Sequence, residues 1–91
     1  MKDLNLYAKE LVDVVNYLMK KGSFVFSRDR RYIYLNNEFI RDMLTKREYD
    51  TAENKLHMWR ELKWLIADDE RVYAIVIDYS IFSWLKIQME V

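Results

Sequence analysis

The sequence predicts an α+β domain of three helices with a small antiparallel sheet, in the order α-β(β)-α-α-β-β. Three observations lead there. Apolar residues recur at helical spacing over residues 4–18 and again over 52–66. Aromatic and β-branched residues concentrate in short runs at 23–35 and 71–77. The 91 residues include one Gly and no Pro, and no Ser-rich or low-complexity linker divides them, so residues 1–91 read as a single domain. A hydrophobic share of 52% supplies enough apolar surface to fold a chain of this size and removes disorder as the default.

The first helix rests on Leu4, Leu11, Val14, Val15 and Leu18, with Tyr7 and Ala8 on the same side. Lys9, Glu10, Asp13, Asn16 and Lys20 fill the remaining surface, which makes the helix amphipathic. Asp3 is the expected N-cap, and Gly22 supplies the left-handed stop. Lys20 and Lys21 in the last turn complement the helix dipole. Ser23–Phe26 and Tyr32–Leu35 then flank the polar turn Ser27–Arg31, a pattern that fits a hairpin and leaves one strand or two open.

Asn36 or Asn37 caps a short helix over Glu38–Leu44, with Phe39, Ile40, Met43 and Leu44 as its apolar face. Thr45–Tyr49 is a polar connector. Asp50-Thr51-Ala52-Glu53 has the arrangement of a capping box and opens a third helix, predicted to run from Asp50 to Ile66. Ala52, Leu56, Trp59, Leu62 and Ile66 share its inner side; Glu53, Asn54, His57, Arg60 and Glu61 share its outer side. The acidic run Asp68-Asp69-Glu70 reads as a turn, and Arg71–Ile77 as a strand buried on both faces. Asp78–Ser83 reads as a connection. Over Trp84–Val91, Leu85, Ile87, Met89 and Val91 alternate with Lys86, Gln88 and Glu90, which predicts a strand with one wet face. A terminal helix built on Ser80, Ile81, Trp84 and Leu85 is the competing reading.

This order resembles the winged helix-turn-helix family, of the kind found in phage and mobile-element proteins, over nearly the whole chain. Asn37–Leu44 corresponds to the positioning helix, Asp50–Ile66 to the recognition helix, and Arg71–Ile77 with Trp84–Val91 to the wing. The segment from Leu56 to Ile66 looks like the helix end of such domains. The helix–helix connector lacks the glycine often seen there, and the wing loop holds Tyr79, Ile81 and Phe82 where basic residues are usual. The resemblance implies a double-stranded DNA partner and a role in regulating transcription or replication in a prokaryote or its phage.

Charge and composition narrow the chemistry. With no Cys and one His, thiol catalysis, thiolate zinc sites and two-histidine metal motifs are excluded; no catalytic residue, metal ligand, cofactor or small-molecule substrate is expected. Fifteen cations balance fifteen acids, but unevenly: Lys20, Lys21, Arg28, Arg30 and Arg31 stand against Asp29 alone, a net +4 over residues 20–31 that leaves the rest at −4. Thr51, Asn54, Lys55, His57 and Arg60 are the expected base-reading residues, and Arg28, Arg30, Arg31, Lys46 and Arg47 the phosphate contacts. Trp64, Phe82 and Trp84 are apolar side chains the pattern does not bury, and they mark an expected protein interface. A homodimer suits a DNA-binding protein; alternatively, a protein-interaction module (an inhibitor or adaptor) uses that interface without nucleic acid. The start of the chain carries an acid early and no continuous apolar stretch, and no segment reaches membrane-spanning length, so a cytoplasmic protein without a membrane partner is expected.

Overall fold

The computed structural model describes residues 4–69 and 74–89. They form α1 (Leu4–Lys20), β1 (Phe24–Phe26), β2 (Tyr32–Asn36), α2 (Asn37–Leu44), α3 (Ala52–Glu61), β3 (Leu65–Asp69), β4 (Ala74–Asp78) and α4 (Tyr79–Met89). The class is α+β, with four helices where the sequence predicts three. The strands make one antiparallel sheet in the order β1-β2-β4-β3.

α1 buries Tyr7, Leu11, Val14, Val15 and Leu18 as its periodicity requires. Gly22, at φ 74°, closes it: Gly22 N donates to Met19 O at 3.1 Å and Ser23 N to Leu18 O at 2.9 Å. Residues 23–36 form two strands, with Phe24 opposite Leu35 and Phe26 opposite Ile33. Asn36 caps α2 by accepting from Phe39 N at 3.0 Å. The predicted cap of α3 shifts by one residue. Thr51, not Asp50, accepts from Asn54 N at 3.1 Å, and Glu53 pairs with Arg41 of α2 instead of reaching back to the cap.

Two predicted elements are corrected. α3 stops at Glu61, short of Ile66, because Lys63 turns left-handed at φ 66°. Lys63 N then donates to Arg60 O at 3.0 Å and Trp64 N to Trp59 O at 2.9 Å, closing the helix as Gly22 closes α1. Leu65–Asp69 becomes a strand, so Asp68 and Asp69 lie in β3 rather than in a turn; the expected turn residue Glu70 and strand residues Arg71–Tyr73 lie outside the described residues. The predicted terminal strand is α4, and β4 pairs with β2 and β3 instead. The reason is a cap: Asp78 Oδ1 accepts from Ser80 N at 2.8 Å and from Ile81 N at 3.3 Å, which starts a helix one residue after the strand ends. The apolar alternation at 85–89 coincides with a helix that buries Leu85 and leaves Ile87 exposed.

The core lies between α1, the sheet and the flanking helices. Ile33, Leu35, Ile75 and Ile77 meet Leu11, Val15, Ile40, Leu44, Leu56 and Trp59, and Phe82 and Leu85 close one side. Trp59 Nε1 donates to Tyr7 O at 3.2 Å, so the largest core side chain leaves no polar atom unpaired. No helix among the described residues is long and apolar enough to cross a membrane.

Candidate nucleic-acid interface

The start of α3 is a structural joint. Thr51 Oγ1 caps the helix. Asp50 Oδ1 accepts from Thr51 N at 2.8 Å and from the Asn54 amide at 3.1 Å, while Asp50 Oδ2 accepts from Tyr7 OH at 2.6 Å. Asp50 thus ties the start of α3 to α1, and the side chains of Thr51 and Asn54 are engaged within the cap.

Lys55 is a correction. Its side chain is 0% exposed, and it sits four residues before Trp59 on the inner face of the helix. Its ammonium lies 3.0 Å from Glu10 Oε1, donates to Leu44 O at 2.7 Å and to Arg47 O, and stands 4.4 Å from the centre of the Tyr49 ring. It cannot reach a base edge. Instead it supplies the connector between α2 and α3 with the donors its carbonyls need, in a turn that has no glycine. Tyr49 OH donates to Glu10 Oε1 at 2.5 Å, and burial together with that carboxylate raises the phenol pKa above its ordinary value. Glu10, expected on the wet side of α1, is buried for the same reason. The two charges were detectable: Glu10 lies three residues after Tyr7 and four before Val14, and Lys55 precedes Leu56, so opposite charges occupy core positions of two helices.

Arg47 is also engaged, since its guanidinium donates to Asp13 Oδ2 at 2.8 Å and that bond holds its pKa up. Lys46 is exposed and borders a groove between α1 and α2 that Tyr17, Lys21 and Phe39 also line. His57 and Arg60 are exposed on the outer face of α3, with His57 Nε2 3.9 Å from Glu61.

The turn between β1 and β2 concentrates cations. Asp29 Oδ1 accepts from Ser27 Oγ at 2.7 Å and from Arg31 N at 3.0 Å; the hydroxyl first and the backbone N–H second hold its carboxyl below the usual range. Ser27 Oγ accepts in turn from Tyr32 N at 3.0 Å. The only acid of the turn is therefore occupied in shaping it. Arg28, Arg30 and Arg31 are exposed. Arg30 lies over Phe26 and Arg31 over Tyr32, at 5.9 and 5.5 Å from the ring centres, so both are pre-positioned by cation–π contact.

Register decides what this turn lies beside. Phe26, Ile33, Ile77 and Leu65 form one cross-strand row. The turn, the α3–β3 connection and the start of α4 therefore emerge at the same end of the sheet, and Tyr79 N donates to Arg31 O at 2.9 Å. Exposed Lys63 occupies that connection, one turn from Arg60. Two to three strand spacings separate it from the arginine turn, about 10–14 Å. The fold gathers Arg28, Arg30, Arg31, Arg60 and Lys63 at one end; the sequence does not mark Lys63, because nothing local shows where α3 stops.

The expected protein-interface residues divide. Phe82 is 3% exposed and belongs to the core, a correction that follows from α4 being a helix. Trp64 is half-buried, and Trp84 is exposed. No protein-family model matches the chain, and no curated protein matches it.

Proposed function

We propose that the chain is a small DNA-binding domain of winged-helix type that acts in the regulation of transcription or replication. The observation that carries this reading is the basic end of the sheet: three exposed arginines on a turn whose acid is engaged internally, beside the last turn of α3. Strand order supports the fold type alone: the consecutive helices α2 and α3 run into a β3–β4 pair that joins the sheet through β2, the order expected of a helix-turn-helix followed by a wing, with the Asp69–Ala74 end of that pair away from the arginine turn. Cations spaced about 10–14 Å apart match a major groove about 12 Å wide, so the arginine turn and Lys63 would contact opposite backbones. In this reading the exposed His57 and Arg60 of α3 would enter such a groove, the buried Lys55 takes no part, and Thr51 and Asn54 act within the helix cap.

Fluorescence anisotropy with a random-sequence duplex tests the reading. Binding at low salt that weakens steeply as salt rises supports it. No binding to random or genomic duplex at low salt would remove it.

A further inference from the structure

The outer face of α4 carries an apolar stripe. Ser80, Trp84 and Ile87 follow at intervals of four and three, the spacing of a helix-pairing seam. Trp84 is 57% exposed and Ile87 63%. α4 lies antiparallel along α1, its first turns near Asn16 and Met19 and its last near Leu4 and Asn5. Trp84 forms one wall of a hollow of about 330 Å³, with Leu4, Trp64, Leu85 and Met89 as further walls and Asn5 and Gln88 also lining it. Among the described residues no charged side chain lines this hollow, while Lys20 and Lys86 lie beside Ile87 in the neighbouring groove between α4 and α1.

We propose that a second copy of the chain covers this face, through an antiparallel two-fold pairing of the α4 helices in which Trp84 of each copy enters the hollow of the other. Three observations fix the occupant. The described lining of the hollow is uncharged and takes an apolar side chain such as the indole of a second copy, whereas an acidic or basic group entering it would be desolvated and unpaired. A protruding indole beside a hollow is a knob and a hole on one surface, which a two-fold axis satisfies twice and then closes. The area reaches the low end of stable interfaces: Trp84, Ile87 and Leu4 together leave on the order of 350 Å² open, near the apolar share of about 600 Å² per partner. The pairing has a geometric consequence. Because Arg31 is bonded to the start of α4, the two arginine turns lie at opposite ends of the pair. The inference rests on α4 with Leu4 and Trp64 beside it, and holds whether or not the domain binds DNA.

Sedimentation velocity of the full chain between about 1 and 100 µM tests it without any ligand. The wild type is expected to sediment as a dimer, Trp84→Glu and Ile87→Glu as monomers, and Val25→Glu, which alters the 65% exposed valine of β1, as a dimer. A monomeric wild type, or a Trp84→Glu variant of unchanged mass, overturns the proposal and assigns the face to another partner. Should the charged variants lose their far-ultraviolet circular dichroism, cross-linking decides. The chain has no cysteine, so Ile87→Cys treated with a short bis-maleimide gives covalent dimers only if two copies meet at α4. Val25→Cys is expected to stay monomeric on a denaturing gel; equal yields from both variants would contradict the pairing.

Discussion

Lys55 Nζ lies 3.0 Å from Glu10 Oε1, and both side chains are closed off from solvent. The pair joins three parts of the chain: α1 through Glu10, α3 through Lys55, and the connector between α2 and α3 through the carbonyls of Leu44 and Arg47. It thereby sets the angle at which α3 is presented.

Removing one partner should cost more than removing both. Lys55→Met leaves a buried carboxylate without its cation, a loss of about 3–5 kcal/mol in urea unfolding. The double variant Glu10→Leu/Lys55→Met should be less destabilised than the sum of the single changes by about 1–3 kcal/mol, since the uncompensated charge is gone. Strict additivity would mean that the two groups do not interact in solution.

Tyr49 gives the domain an alkaline limit. Its folded-state pKa is raised by burial and by Glu10, so above pH ~10 the unfolded chain releases this proton while the folded one retains it. Stability is then present in full below that pH and falls as pH rises, by at most about 1.4 kcal/mol per pH unit and less after solvent screening of a half-buried ring. Thermal melts between pH 9 and 11 should show a shallower decline for Tyr49→Phe than for the wild type. Parallel declines would assign the alkaline limit to other groups.

The two left-handed helix ends should respond in opposite directions. At Gly22, φ is 74° and a Cβ would meet nothing within 4 Å, so Gly22→Ala costs only backbone strain, about 1 kcal/mol. At Lys63, φ is 66° and the strain is already present, so Lys63→Gly should stabilise by roughly 0.5–1 kcal/mol. Because Lys63 belongs to the basic end, the same variant should bind duplex DNA with a salt slope reduced by about 0.9.

How much of this was legible in the residues follows from what each signal depends on. α1 and α2 carry their own helical periods and the hairpin at 24–36 its aromatic and β-branched residues, and they appear where the pattern puts them; the expected α1 cap, Asp3, lies outside the described residues. The end of α3 was not legible, because it rests on a lysine adopting a conformation that the sequence marks only when glycine is there. The C-terminal segment misled for a related reason. Leu85, Ile87 and Met89 alternate as a strand would, and only the cap at Asp78 and the burial of Phe82 against α1 decide for a helix. At the candidate interface the arginine turn was readable as a local run of charge. Lys55 reads as a surface cation because of its charge, although it lies four residues before Trp59, and the acid that neutralises it is 45 residues away in α1.

The proposed DNA binding rests on the basic end of the sheet, and the salt dependence of duplex binding is its sharpest test. For the wild type and for Arg28→Ala/Arg30→Ala/Arg31→Ala, anisotropy titrations at several salt concentrations give the slope of log K against log salt. The triple variant, folded by circular dichroism, should lose about 2.7 from the slope, three contacts at about 0.9 each, and bind markedly more weakly at low salt. An unchanged slope and affinity in the triple variant would contradict the account.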